Sequence, residues 1–154
     1  MTSAAGGAAR ALSPRRWARG RRDGRNVDVA TAMFAAFTAQ DPDQMVALTD
    51  PGVSVAGAPI AERTGRSDPY RGHEGIRDLV RDLAETWSEV HVAPQEYRPI
   101  GDAVLVIATL SAHSQAAMLT GSVAWVYRLH RRKVVSVEVF RCEADALASL
   151  PTGR

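Results

Sequence analysis

Thr109, Ser111 and His113 are polar at every second residue of one segment. In an extended strand such alternation sets three side chains in a line down one face. Facing a pocket, they would orient a ligand in an otherwise apolar cavity. His113 would then be the general acid or base, because an unperturbed imidazole titrates near neutrality. Arg141, at the end of another apolar run, is suited to holding a carboxylate or enolate oxygen. The competing reading makes His113 a solvated strand-end residue and Thr109 and Ser111 ordinary strand formers. Glu138 lies centrally in an apolar strand and reads as a structural partner for Arg128 rather than as a catalytic acid. The four histidines have no metal-ligand spacing, and the single cysteine, Cys142, leaves no thiol pair. Neither a metal nor a cofactor is therefore expected.

The elements that must position these residues are an N-terminal set of helices and a C-terminal run of strands. Val29, Ala30, Met33, Ala36 and Phe37 recur at helical spacing, which predicts an amphipathic helix over 27–40. Asp41-Pro42 breaks it, and a short second helix follows over 42–49. Val53–Ala56 is a short strand. Residues 57–71 are rich in Gly, Pro, Ser and Arg, without periodicity, and read as a long loop of the kind that serves as a lid. Gly72 opens a third helix with Ile76, Leu79, Val80, Leu83 and Trp87 in one stripe. Four strands are then expected: Val90–Ile100, Ala103–Ser114, Gly121–Leu129 and Lys133–Arg141. The class is α+β, a curved antiparallel sheet forming a half-open cone packed against about three helices from the N-terminal half.

Charge divides the chain of 154 residues unevenly. The first 26 residues hold seven arginines (10, 15, 16, 19, 21, 22 and 25) against Asp23 alone, a net of +6; twelve basic and sixteen acidic residues follow, a net of −4. Such an arm, with only Leu12 and Trp17 as large apolar groups, is expected to be disordered. A dispensable extension or a start codon placed too early is preferred; nucleic-acid contact, export and organellar targeting rank behind it. No run of apolar residues is long enough to span a bilayer. One cysteine fits a reducing compartment, so a cytoplasmic location is expected. The division is an arm over 1–26, one domain over 27–150 and a tail over 151–154.

Tyr70-Arg71-Gly72-His73-Glu74-Gly75-Ile76, the Gly101-Asp102 turn and the end Lys133-Val134-Val135-Ser136-Val137-Glu138-Val139-Phe140, with Glu143-Ala144-Asp145-Ala146-Leu147 after it, carry a resemblance. The chain resembles the SnoaL-like domains of the nuclear transport factor 2-like superfamily over residues 27–150. The resemblance implies a cone with an internal pocket, and a fold that hosts isomerases, cyclases, epoxide hydrolases and non-catalytic binding modules. It further implies an inward row of Leu105, Ile107, Thr109, Ser111 and His113. Val123, Trp125 and Tyr127 would join them, with Val137, Val139 and Arg141 on the last strand. Met33, Phe37 and Trp87 complete the expected ligand-binding set. The opposite row, Val104, Val106, Ala108, Leu110 and Ala112, would then face outward, and an apolar outward face implies a homodimer. The ketosteroid-isomerase apparatus fails residue by residue: its tyrosine falls at Met33, its general base at Gly57 and its neutral acid at Trp125. Two readings are equally supported, a cofactor-free acid–base enzyme on a small apolar metabolite and a non-catalytic ligand-binding or dimerisation module. The His130-Arg131-Arg132 turn, in place of an Asp-Gly type, is expected to be wide or strained.

Overall fold

The computed structural model describes residues 14–66, 68–86, 89–113 and 118–150. In chain order the elements are α1 (Pro14–Thr38), α2 (Pro42–Ala47), β1 (Thr49–Ala56), α3 (Ala58–Thr64), β2 (Tyr70–Arg71), α4 (Gly72–Thr86), β3 (Glu89–Ile100), β4 (Ala103–His113), β5 (Met118–His130), β6 (Lys133–Phe140) and α5 (Glu143–Ala148). The six strands form one curved, unclosed sheet in the order β2-β1-β6-β5-β4-β3. All neighbours run antiparallel except β1 and β6, which pair in parallel; the expected purely antiparallel sheet is corrected in that one place. Pro94 and Pro99 fall in β3, at the sheet edge, where a missing N–H leaves no ladder bond unmade.

Two elements depart from expectation. The first helix begins at Pro14 rather than Val27, so the arm is helical from residue 14 where its composition suggested disorder. Proline suits a first helical turn, and alanine and arginine are strong helix formers. Residues 1–13 and the 151–154 tail lie outside the described residues. Within the expected 57–71 loop lies α3, started by Pro59 in its first turn and stopped by Gly65 in the left-handed conformation. Seven residues are too few for a periodicity to show.

The two hairpin turns differ in chemistry. Ile100 pairs with Ala103 around Gly101-Asp102, and Gly101 takes the positive φ, 60°, that a primed turn demands. His130 pairs with Lys133, so Arg131-Arg132 is the whole turn. Both arginines have positive φ, 52° and 65°. This is the tight and strained outcome, with a cost of roughly 1–2 kcal/mol for each residue.

Alternation along the strands produces two cores. Val53, Val55, Val104, Val106, Ala108, Leu110, Val123, Trp125, Tyr127, Val137 and Val139 point to the concave face, where α1, α2 and α4 cover them with Ala30, Met33, Phe34, Met45, Ile76 and Leu79. On the other face Ala103, Leu105, Ala124 and Val126 are sealed by Ala146 and Leu150 at the C-terminal end. Arg128 Nη1 donates to Glu138 Oε1 at 2.9 Å on that outer face, and its Nη2 to the Ser149 carbonyl at 3.0 Å. The expected Arg128–Glu138 pair is present and ties the C-terminal segment to the sheet.

The concave-face assignment reverses the expected parity of β4. Val104, Val106 and Ala108 are fully buried inside. The homodimer argument rested on their facing outward and loses that support, since the chain's own α5 covers the apolar outer row.

Gly57, between β1 and α3, has φ 141°, and a Cβ there would lie 2.2 Å from the Val139 carbonyl oxygen. Strain and a backbone clash with no flexible neighbour to yield act together. Gly57→Ala is expected to lose about 3 kcal/mol or more in a urea unfolding titration; a loss below about 1 kcal/mol would contradict the packing described.

Candidate functional site

The concave face is built from aromatic residues meeting edge to face. Phe34 stands at the centre, 5.0 Å from the Trp125 ring at 78° and 6.5 Å from Tyr127 at 81°. Tyr97 lies 6.4 Å from it on the far side. Phe37, one helical turn on, meets Trp125 at 6.1 Å. These are the preferred geometries of aromatic pairs and hold the rings against both helix and sheet.

Two small adjoining cavities remain beside this cluster. One is lined by Phe37, Pro59, Ile60, Leu83, Leu110, Val123, Trp125 and Val139. The other is lined by Met33, Phe37, Met45, Val55, Ile60, Leu79, Trp125, Tyr127 and Val137. Phe37, Ile60 and Trp125 belong to both. Each offers about 30 Å³ to the centres of water-sized molecules, room for about two waters by volume. Every wall residue is apolar except for the Tyr127 hydroxyl. Apolar cavities of this kind stay dry.

α3 roofs the first cavity with Pro59 and Ile60. Beyond it lies an open groove of about 250 Å³, lined by Pro59, Glu62, Leu110, Thr120, Gly121, Ser122, Val123 and Arg141. Leu110 and Val123 line both the groove and the cavity, so the groove leads inward. Arg141 Nη1 donates to Glu62 Oε1 at 2.8 Å, and its Nη2 to Glu62 Oε2, a two-pronged pair across the groove mouth. Both side chains are about half exposed.

Of the expected site residues, Met33, Phe37, Trp125, Tyr127, Val137 and Val139 line the cavities, and Arg141 stands at the rim. Thr109 and Ser111 do not. Thr109 pairs with Ser122 and Ser111 with Thr120, on the opposite face from Val106, Ala108 and Leu110. Thr109 is exposed and Ser111 half-buried. Residue 113 holds the same register position, opposite Met118; the His113 side chain lies outside the described residues, as does Trp87. The physical reason is the ordinary one: the larger apolar row wins the interior, and the polar row is left to solvent. Phe34, Ile60 and Glu62 were missed. Phe34 sits four residues from Ala30 and three from Phe37, so its place on the buried face was readable.

The interior holds its ionisable groups neutral. Burial pushes the Tyr127 phenol well above its ordinary value of 10.0, with nearby Tyr97 adding to the shift. Burial also raises Tyr97, which the Thr31 hydroxyl partly offsets. Elsewhere the polar groups are structural. The Tyr70 hydroxyl donates to Asp82 Oδ2 at 2.7 Å, Arg66 lies 4.2 Å over the Tyr70 ring, and His73 Nε2 lies 3.2 Å from the Thr49 carbonyl. Among the described residues no group of three His, Cys, Asp or Glu could hold a metal ion, and no helix is long and apolar enough to cross a membrane.

Comparison with known proteins agrees with this architecture. The SnoaL-like domain matches residues 30–143, and the chain belongs to that family. The structure of TerC co-crystallised with polyporic acid superposes with a TM-score of 0.69 at 20% identity, over 82% of this chain and 97% of that one. A ketosteroid-isomerase-like protein from Catenulispora acidiphila DSM 44928, in complex with trimethylamine, gives 0.64 at 20% identity, over 80% and 93%. A protein from Jannaschia sp. CCS1 assigned to the SnoaL-like polyketide cyclases gives 0.65 at 15% identity, over 85% and 94%. No curated protein matches the sequence. At these identities the structures establish the nuclear transport factor 2-like fold. The steroid-isomerase apparatus fails on geometry as well as on residue type. Gly57 has no room for a side chain, Met33 is buried in the core, and Trp125 is packed against Phe34.

Tyr127 yields a pH prediction with a definite sign. The native state keeps the phenol proton at pH values where the unfolded chain has lost it, so stability is unaffected below about pH 10 and falls above it. Tyr127→Phe is expected to flatten this alkaline loss in chemical denaturation between pH 9 and pH 11. An unchanged slope would mean that the ring is not buried as described.

Proposed function

We propose that the chain binds a small, largely apolar molecule in the interior beneath α3, without acid–base catalysis of its own. One observation carries this reading: the two cavities that α3 closes are walled by hydrocarbon and aromatic surface, with no carboxylate, histidine, lysine or arginine among the described residues that line them. Acid–base chemistry needs a titratable group within reach of the reacting atom. The expected acid or base, His113, and the expected ligand-orienting residues Thr109 and Ser111 hold the same register position on β4, on the outer row. The fold tolerates this use, since two of its neighbours hold small molecules, polyporic acid in one and trimethylamine in the other.

Entry runs through the rim groove. α3 lies between Gly57 and Gly65, both at positive φ, and displacing it joins groove and cavities into one site. The Arg141–Glu62 pair latches the mouth. A ligand with an apolar body and an anionic end would seat its body against Trp125 and exchange Glu62 for its own carboxylate on Arg141. An exposed pair is worth at most about 1 kcal/mol, so the latch tunes rates and does not lock the site. A homodimer is a further proposal, supported by the exposed Met118 on the outer face of β5; sedimentation of the full chain at a two-chain mass would support it and a one-chain mass would sink it. A cytoplasmic location fits the single cysteine.

The test is a thermal-shift titration of the full chain with small aromatic and terpenoid acids and their uncharged analogues. A ligand at a hundredfold its Kd stabilises by about 2.7 kcal/mol. Val123→Phe, which fills the first cavity, is expected to abolish the shift, and Arg141→Ala to weaken binding of the acids by about fivefold or less while leaving their uncharged analogues nearly unchanged. Binding that survives Val123→Phe but depends on Thr109 or Ser111 would overturn the reading, as would turnover of any ligand found.

A further inference from the structure

A groove of about 490 Å³ lies at the opposite end of the fold from α3, where the β5–β6 and β3–β4 turns approach α1. Its volume falls in the range of small-molecule sites. Arg25, His130, Arg131 and Arg132 line it, with Asn26, Leu129 and one carboxylate, Asp102. Three guanidiniums against that carboxylate leave a net charge of 3 − 1 = +2 before His130 is counted.

The three arginines differ from most others in the fold. Arg66, Arg77, Arg81, Arg98, Arg128 and Arg141 each have a carboxylate oxygen within 3.8 Å. Among the described residues Arg25, Arg131 and Arg132 make no ion pair. Arg131 and Arg132 also occupy positive-φ positions, 52° and 65°, that glycine and asparagine fill at lower cost. Strain held where a cheaper residue is available signals work done by the side chains.

Asn26 is a second and independent sign of a ligand. It is only 6% exposed and lines the groove. Among the described residues its side-chain amide makes no hydrogen bond. A buried amide normally has a partner, and one left without is costly. An oxygen-bearing group in the groove would supply it.

The chemistry of the lining selects the occupant. Guanidinium forks match the oxygens of a phosphate-type group two at a time. A charge of +2 suits a dianion, the state of a phosphate monoester above its second ionisation near pH 6. A phosphodiester strand has a single charge on each phosphate and is held by cations set out along its length. The described cations converge on one concavity instead. We propose that this groove binds a small molecule through a phosphate-type dianion held by Arg25, Arg131 and Arg132 and hydrogen-bonded by Asn26, independently of the interior cavities.

The test is calorimetric titration of the full chain with methyl phosphate, dimethyl phosphate and inorganic phosphate, in low salt and above the second ionisation of the monoester. Methyl phosphate is expected to bind with a Kd of about 1 mM or tighter, and the singly charged diester at least about tenfold more weakly. Inorganic phosphate separates the two sources of this chemistry. Weaker binding than the monoester assigns the groove to a phosphorylated small molecule, and equal binding assigns it to the free anion. Arg131→Asn with Arg132→Gly installs the residues the turn prefers, so this variant should melt no lower than the parent, yet bind methyl phosphate at least about tenfold more weakly. Asn26→Leu removes an unpartnered buried amide and should also melt no lower, while binding falls about threefold or more. The proposal is overturned if neither methyl phosphate nor inorganic phosphate binds, or if the turn variant binds as the parent does. An Asn26→Leu chain that melts lower and binds unchanged would make the amide structural and overturn its part. Dimethyl phosphate bound as tightly as the monoester would also overturn it, since the surface would then suit a phosphodiester backbone.

Discussion

The packing of Phe34 into the concave face is the interaction on which the rest of the structure depends. A strongly curved sheet that is apolar inside must be covered, and α1 covers it by driving one ring between Trp125, Tyr127 and Tyr97. Removing so central a ring from a core typically costs 3–5 kcal/mol, a large share of the stability of any domain this size. The same ring decides what space remains. Phe34 and Phe37 fill much of the concave face and leave small apolar cavities beside Trp125. The volume that a catalytic member of such a fold could give to substrate and acid–base groups is here given mainly to packing.

From that follows a separation of chemistries. Apolar surface is concentrated beneath α3, and charge is pushed to the two ends, Arg141 with Glu62 at the open end and Arg25, Arg131 and Arg132 at the other. Between them the outer face of the sheet is closed by α5 and pinned by Arg128 to Glu138 and the Ser149 carbonyl. Several polar groups away from the ends have a structural partner close by, as the Tyr70–Asp82 hydrogen bond illustrates.

How far this was legible in the sequence varied with the contrast available to be read. The α+β order, the four long strands and the Gly101-Asp102 turn were clear because alternation and turn residues are local signals. The facing of β4 was not. Val104, Leu105, Val106 and Ile107 are apolar on both faces, so the first half of the strand carries no parity, and only Ala108–Thr109 onward offers a choice. The resemblance to relatives chose the polar row for the pocket, and burial chose the apolar one. The true cover of the outer face, Ala146 and Leu150, lies some forty residues away in the chain and leaves no mark on β4 itself. α3 was hidden for a different reason: one turn of Pro-Ile-Ala in a polar stretch has no period to detect, yet it supplies the roof of the site.

The central claim is that the interior is dry hydrocarbon space, fit for an apolar ligand and unfit for proton transfer. Diffraction from a crystal of the full chain under xenon pressure tests it directly, since xenon enters apolar cavities and not hydrated polar ones. The account predicts a xenon peak in contact with Phe37, Leu83, Leu110 and Trp125, with no ordered water beside it. Ordered water at that position, hydrogen-bonded to a polar side chain turned inward from β4, would contradict it.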